Sequence, residues 1–190
     1  MKLSRLIRLF SILVFISWLA SCASSSMVME SVKDPAYSKS LQRVLIVSNG
    51  ELFPELTRKM LFFPSVDALQ SLLSQHGIDS SVVQAQKNEL NPSVQQMAAA
   101  RDLKATHILF FSVSKVSSYG PINLPESHPQ NQYRLVGSYT YSFTIFDLQT
   151  RRNVWKGELR GGSGGSTEDS LRQFEEKLKE HLYQARLLAS

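Results

Sequence analysis

Two continuous apolar runs constrain the fold of this chain more than any other feature. Residues 43–48 read RVLIVS, and residues 106–113 read THILFFSV. A strand with one solvated face alternates apolar and polar residues, whereas a strand buried on both faces carries an unbroken run. Such strands are typical of parallel sheets that are covered by helices. The two runs therefore predict the centre of a parallel sheet.

The residues between these two runs predict the connecting elements. Ser65 is a candidate N-cap for a helix that ends at Gly77, and residues 78–84 predict a short strand. The pair Asn91-Pro92 indicates the start of a second helix, because proline is favoured at the first helical position. The order from residue 43 to residue 113 is therefore βαβαβ.

The second half of the chain predicts a loop, a hairpin and a helix. Residues 117–132 contain three prolines and predict a long loop. Residues 133–146 alternate apolar and polar side chains, and residues 153–160 return after a turn, which predicts an antiparallel hairpin. Residues 161–166, GGSGGS, predict a flexible link to a final amphipathic helix. We therefore expect an α/β fold: a single domain over residues 41–190 with a mainly parallel sheet, a C-terminal antiparallel hairpin and a final amphipathic helix.

The N-terminus carries the features of an export signal. Lys2, Arg5 and Arg8 precede an apolar stretch over residues 9–19, which is too short for an ordinary membrane-spanning helix. The sequence Leu-Ala-Ser-Cys then ends at Cys22. This arrangement resembles the lipobox of bacterial lipoproteins. The resemblance implies that residues 1–21 are a signal peptide, and that Cys22 carries a diacylglyceryl group and, after cleavage, an acyl chain such as palmitate on its new amino terminus.

The residues that follow Cys22 bear on location. Residues 22–40 are rich in serine and show no sustained period, so we expect a flexible tether between a lipid anchor and the domain. Residue 23 is alanine. In enterobacterial lipoproteins an aspartate at that position favours the inner membrane, so the resemblance implies the outer membrane, with the domain facing the periplasm.

Composition excludes a disulfide framework and disfavours nucleic acid as a partner. Cys22 is the single cysteine of the chain, so the fold must rest on packing. The formal net charge is +5 with 21 basic residues, but three of these belong to residues 1–21, which leaves 18 basic against 16 acidic residues. These charges are scattered along the chain, so no basic stripe marks a nucleic-acid surface.

No residue pattern nominates a catalytic or metal site. The four histidines are at least twenty residues apart, so no zinc-binding pair is present, and we expect neither a metal nor a cofactor. Residues 161–165 match GxSxG only as part of the glycine-serine link, so no nucleophile elbow is predicted, and no phosphate-binding GxxxxGK[ST] motif occurs. The aromatic residues of the hairpin predict core and cross-strand pairs, with a sugar- or base-stacking platform as the alternative.

The segments DLKATHILFFSVS at 102–114 and YSFTIFDLQTRRNVWKGE at 141–158, with the opening strand at 43–47, carry a resemblance to a group of bacterial lipoprotein domains. The group includes the curli-secretion lipoprotein domain, the penicillin-binding-protein activator lipoproteins and the TolB N-terminal domain. The resemblance implies a non-enzymatic protein-binding or assembly module with a protein partner in the cell envelope. An envelope hydrolase that acts on peptidoglycan or glycans is the alternative hypothesis, and a carrier of a small ligand is the third.

The expected topology places a binding surface at the carboxyl ends of the parallel strands, where ligands of open α/β sheets tend to bind. The loop at 117–132 and the link at 161–166 are expected at the same edge. The predicted rim therefore consists of Asn49, Gly50, Tyr119, Asn123, Glu126, His128, Gly162 and Gly164.

Overall fold

The computed structural model describes residues 27–85, 91–122, 134–162 and 166–188. These residues form one mixed sheet of six strands with three helical elements against it. The strands are β1 (Val28–Lys33), β2 (Arg43–Asn49), β3 (Asp79–Gln84), β4 (His107–Ile122), β5 (Arg134–Asp147) and β6 (Arg152–Gly162). Helix α1 consists of α-helical Glu55–Thr57, π-helical Arg58–Phe62 and α-helical Phe63–Gln75; α2 is Val94–Asp102 and α3 is Thr167–Gln184.

The sheet has the strand order β1-β6-β5-β4-β2-β3. Strand β2 pairs in parallel with both β3 and β4, whereas the pairs β4–β5, β5–β6 and β6–β1 are antiparallel. The α/β class is confirmed, but three of the five adjacent pairs are antiparallel. The expectation of a mainly parallel sheet is therefore wrong, because β1, which the sequence did not predict, adds an antiparallel pair beyond the predicted hairpin.

Helices cover the sheet on both faces where β2 lies. Val44 and Ile46 of β2 pack with α1 and α3 in one large core, whereas Leu45 and Val47 pack with α2 in a smaller one. Alternate residues of a strand point to opposite faces, so both faces must be apolar. This arrangement explains the continuous apolar run over residues 43–48.

Local signals set the helix ends. Ser93, rather than Asn91, caps α2: its hydroxyl accepts a hydrogen bond from the Gln96 backbone N–H, and the Gln96 side chain accepts one from the Ser93 N–H. Ser166 caps α3 by accepting from the Asp169 N–H. Gly77 follows α1 with a φ of +69°, as a residue after a helix C-terminus often does.

Ser65 does not cap a helix. Helix α1 begins ten residues earlier, and Ser65 is a buried interior residue whose hydroxyl donates to the Leu61 carbonyl at 2.8 Å and lies 3.2 Å from the Tyr141 hydroxyl. Pro54 lies just before the helix, and Pro64 lies where the π-helical segment leads into the next turn.

Strand β1 corrects the prediction of a tether over residues 22–40. Its residues pair with β6 from Val28 opposite Arg160 to Lys33 opposite Trp155. The side chain of Met29 is buried in the large core, together with those of Tyr37 and Leu41 from the following segment. Residues 27–41 are therefore part of the folded domain.

The predicted loop and link are also shorter than expected. Strand β4 continues to Ile122, which pairs with Arg134, so residues 117–122 are strand rather than loop. Strand β6 includes Gly161 and Gly162, which pair with Tyr139 and Ser138. A Cβ on Gly161 would overlap the Tyr139 ring, so this glycine serves close packing. The parts of the loop and link at 123–133 and 163–165 lie outside the described residues.

Candidate functional site

The structure tests the position of only part of the predicted rim. Asn49 is the last residue of β2, Gly50 follows it, and Gly162 is the last residue of β6, so all three lie toward the same end of the strands. Tyr119 lies in β4, between Ser117 and Gly120, where the pairing with β5 shifts register. The side chain of Tyr119 lies outside the described residues, as do Asn123, Glu126, His128, Gly164 and the lipidation candidate Cys22.

The rim residues share an edge but not a level along the strands. Asn49 pairs with Ser112 of β4, whereas Gly162 pairs with Ser138, which in turn faces Ser117. Five residues along β4 correspond to about 17 Å. Strands β4 and β5 thus project past β2 as a ribbon, so Asn49 and Gly162 do not form one compact site.

A cavity with a tightly packed wall nevertheless lies at the carboxyl end of β2. Asn49 is buried, and its side-chain oxygen accepts from the Glu51 N–H at 2.9 Å, whereas its amide nitrogen is buried without a hydrogen-bond partner. Gly50 lies against the Phe62 ring, which a Cβ at position 50 would overlap. A cavity of about 260 Å³ lies here, between Gly50, Arg58 and Gln84.

A second site lies at the opposite end of the strands, where β4 begins and β5 ends, and sequence reasoning missed it. His107 at the start of β4 pairs directly with Asp147 at the end of β5, and its ring is 2% exposed. His107 Nε2 is hydrogen-bonded to the Tyr37 hydroxyl, and Nδ1 lies 2.8 Å from the Thr106 hydroxyl. The nearest oxygen of Asp147 lies 3.9 Å from Nε2. We refer to Tyr37, His107 and Asp147 as the buried triad.

Burial and neighbouring groups fix the protonation states of the buried triad. Burial lowers the pKa of His107 below its ordinary value; the Asp147 carboxylate opposes this shift and the Lys39 ammonium adds to it. Burial acts to raise the pKa of Asp147, but the backbone N–H groups of Thr150 and Gln149, the Tyr37 hydroxyl and Lys39 together hold that pKa below its ordinary value. Burial, reinforced by the Asp147 carboxylate, raises the pKa of Tyr37 well above its ordinary value.

The triad therefore combines a neutral imidazole, a carboxylate and a protonated phenol. One arrangement that satisfies all three groups has the Tyr37 hydroxyl donating to the Asp147 carboxylate and accepting from the Nε2–H of His107. Asp147 Oδ1 also accepts from the N–H groups of Gln149 and Thr150, both at 2.7 Å, which holds the β5–β6 turn. The triad thus fixes the segment before β2 to this turn.

A cavity of about 660 Å³ opens beside the triad. Polar side chains line it, and Lys39 crosses it with its ammonium 2.6 Å from Gln149 Oε1 and 3.5 Å from Asp147 Oδ2. Its volume is in the range of small-molecule sites, which are, however, mostly apolar. The lining side chains are Ser38, Lys39, Ser40, Gln42, Thr106, His107, Asp147 and Gln149, with Ala105 and Leu148.

Within the described ranges, no group of three or more His, Cys, Asp or Glu side chains is placed to hold a metal ion. Likewise, among the described helices none is long and apolar enough to cross a membrane.

The sequence matches no protein-family model, and no curated protein matches it. Solved structures do show similarity. The PelC dodecamer from Paraburkholderia phytofirmans is 14% identical over 86% of this chain and 99% of its own, with a TM-score of 0.53. A point variant of that protein is 15% identical over the same shares, with a TM-score of 0.52. A neuraminyllactose-binding hemagglutinin homolog from Helicobacter pylori is 13% identical over 83% of this chain and 90% of its own, with a TM-score of 0.39. At these identities, the similarity to PelC shows a shared fold.

Proposed function

We propose that this chain is a lipid-anchored, non-enzymatic assembly module of the cell envelope, and that its protein partners include further copies of the same chain. The observation that carries the proposal is the state of the sheet edges. The strand order ends at β1 and β3, so in the part of the chain that the structure describes no strand pairs with their outer sides. Such edges present unpaired N–H and C=O groups to another strand.

Strand β1 has the surface that an interface needs. Val28 is 52% exposed and Val32 is 76% exposed, and both lie on the same face of the edge strand. Strand β1 has six residues, as does β3 at the other edge. A contact between β1 of one copy and β3 of the next would use two different surfaces, and contacts of this type close into rings or extend into filaments.

The comparison with PelC supports self-assembly, since that protein is a dodecamer with a similar fold. The resemblance of the hairpin and strand motifs to envelope lipoprotein domains supports an assembly role as well. In this proposal, residues 43–122 form a βαβαβ unit that serves as scaffold, and the antiparallel strands β5, β6 and β1 carry one of the two interfaces.

The proposed anchor is Cys22, and the proposed location is the periplasmic side of the outer membrane. Strand β1 begins six residues after Cys22, a stretch that spans at most about 20 Å when fully extended. A lipid on Cys22 would therefore hold the β1 edge close to the bilayer. In a membrane plane, this restriction would orient copies in the same way, which favours side-by-side association.

An envelope hydrolase is the second candidate, and the buried triad beside a cavity is the observation in its favour. Against it, both ring nitrogens of His107 are engaged, by Tyr37 and Thr106, and the ring is almost completely buried. The Asp147 carboxylate is held by a turn. The contacts of the triad are those of a structural lock, which supports the non-enzymatic proposal.

Photo-crosslinking in intact cells tests the proposal. A photo-reactive amino acid at position 32 should link two differently tagged copies of the full chain, whereas the same group at position 94 should not. Val94 is the matched control because it is 88% exposed but lies on helix α2 and not on an edge strand. The absence of copy-to-copy products at positions 28 and 32, or equal products at position 94, would contradict the proposal.

Two further measurements separate the parts of the proposal. Cys22→Ser should abolish labelling with a palmitate analogue, and label retained by the variant would exclude the anchor. A folded His107→Gln variant that still cross-links at position 32 but has lost function in cells would favour the hydrolase.

A further inference from the structure

The cavity of about 260 Å³ at the carboxyl edge of β2 and β3 contains an arginine with no visible role in the fold. Arg58 lines it together with Ser48, Gly50, Glu51, Phe62 and Gln84. The Nε–H of Arg58 is buried without a hydrogen-bond partner, and within the described residues Arg58 forms no ion pair. Burying such a donor is costly unless something accepts from it.

The lack of a partner for Arg58 is a feature of the cavity and not of the helix surface in general, because the adjacent Lys59 does have one. Lys59 forms an ion pair with Glu55 at 2.6 Å, one helical turn away. Arg58 instead begins the π-helical segment of α1, which ends at Phe62. Segments of this kind are rare and occur frequently at functional sites.

The walls of the cavity are fixed by packing. The Phe62 ring is fully buried and stacks on Phe111 of β4 with ring centroids 5.0 Å apart. The same ring lies so close to the backbone at residue 50 that only glycine fits there. The Phe62 side of the cavity is therefore rigid, which lowers the entropic cost of binding a ligand there.

We propose that Arg58 binds a carboxylate group in this cavity, side-on, through a terminal N–H and its Nε–H, which is buried in the structure and becomes available when the side chain rotates toward the ligand. The planar guanidinium fork matches a carboxylate with two parallel hydrogen bonds. Glu51 lines the same cavity and repels a dianion, so a singly charged carboxylate fits better than phosphate. The volume accommodates an end group, such as a small organic acid or the C-terminal carboxylate of a polypeptide. This site goes beyond the proposed assembly function and does not depend on it.

The test uses the purified full chain in detergent, with sodium acetate as the probe and sodium chloride at the same ionic strength as the reference. In a ¹H–¹⁵N spectrum, the Nε–H resonance of Arg58, identified by its loss in Arg58→Lys, should shift on addition of acetate and not of chloride. Arg58→Gln should weaken acetate binding about tenfold or more, as expected for the loss of a charge-assisted pair. Lys59→Gln, which makes the same charge change at the next residue, should bind as the wild type does.

Several results would overturn the proposal: equal acetate affinity in Arg58→Gln and the wild type, an Nε–H resonance that does not move, or tighter binding of phosphate than of acetate. If Arg58→Gln does not fold, Arg58→Lys keeps the charge but lacks the fork, and binding that survives in Arg58→Lys would overturn the proposal as well. A short peptide with a free C-terminus, compared with its amide, identifies the source. Tighter binding of the acid than of acetate indicates a polypeptide terminus, and equal binding indicates a small organic acid; both support the site.

Discussion

Acidification should destabilise this protein through His107, well above the pH at which carboxylates titrate. The folded state holds the imidazole in its neutral form, because burial lowers its pKa below the ordinary value of 6.5. The unfolded chain binds a proton at that ordinary value. A group whose pKa is lower in the folded state contributes stability that is present above the unfolded pKa and is lost as pH falls.

The size of this loss follows from the proton count. At most one more proton binds to the unfolded chain than to the folded chain, so the free energy of unfolding falls by no more than about 1.4 kcal/mol per pH unit. Between pH 7.5 and pH 5.5 the loss through His107 is at most about 1.4 kcal/mol, the limit for an imidazole that takes up its proton only in the unfolded chain. Folded domains typically have a free energy of unfolding of about 5–15 kcal/mol, so this loss is a substantial fraction of the total.

The assay is urea unfolding between pH 7.5 and pH 5.5, followed by the fluorescence of the buried Trp155. His107→Gln should be less stable at pH 7.5, but its stability should change far less over this range. His76→Gln is the matched control, because His76 lies at the surface and is bonded to Tyr183 across an exposed contact. The reasoning would be refuted if His107→Gln kept the full pH dependence of the wild type, or if His76→Gln removed it.

Three further substitutions test individual contacts by urea or thermal unfolding. Tyr37→Phe removes the hydroxyl that bonds His107 Nε2 and should cost about 1–3 kcal/mol, since a buried nitrogen loses its partner; an unchanged transition would exclude the triad as a structural lock. Met29→Ala should cost about 2–5 kcal/mol because Met29 is buried in the large core, whereas a tether at this position would tolerate it. Lys104→Gly should stabilise by about 1 kcal/mol, because Lys104 follows α2 with a φ of +50°, which is strained for a residue with a Cβ; a loss of stability would contradict this.

The apolar pattern of the sequence was sufficient for the centre of the fold. The runs at 43–48 and 106–113 were predicted as buried strands of a parallel sheet, and β2 and β4 pair in parallel at these residues. Here burial on both faces determines both the sequence and the structure. The hairpin of β5 and β6 and the helix after residue 166 were also predicted, because their alternation and helical spacing are local signals.

Strand β1 could not be predicted because its pattern is ambiguous. Its outward face carries Val28 and Val32, whereas its inward face carries Met29 followed by the half-buried Ser31 and Lys33. Ser31 and Lys33 find their partners in α3 and just after it: the Ser31 hydroxyl lies 2.8 Å from His181 Nδ1, and Lys33 donates to the Ala185 carbonyl. Contacts across 150 residues of sequence leave no local signal.

The extension of β4 is a related case. Gly120 and Pro121 indicated a loop, but the backbone there pairs with Val136 and Leu135 of β5. Past the end of β2, β4 is an edge, and an edge strand tolerates proline because its N–H group is not required on the open side. Tertiary pairing therefore overrides the local preference for a turn.

The buried triad was beyond sequence reasoning for a different reason. His107 and Asp147 were each visible, one at the start of an apolar strand and the other at a turn, but nothing in the spacing connected them. Tyr37 belongs to a segment that was predicted as tether. The register of β4 and β5 brings the first two together, and the path of the chain before β2 brings the third.

The direction of β1 links the proposed anchor to the rest of the molecule. Val28 at the start of β1 pairs with Arg160 near the end of β6. The chain therefore enters the sheet at the end of the strands where β2 also ends. A lipid on Cys22 would therefore attach at the same end of the strands as the Arg58 cavity, and the buried triad would lie at the opposite end. Four further strands separate β1 from β3 in the sheet, a distance of about 24 Å. The Arg58 cavity, which lies beside β2 and β3, is thus separate from the β1 contact, whereas a contact of the same copy through β3 would lie next to it.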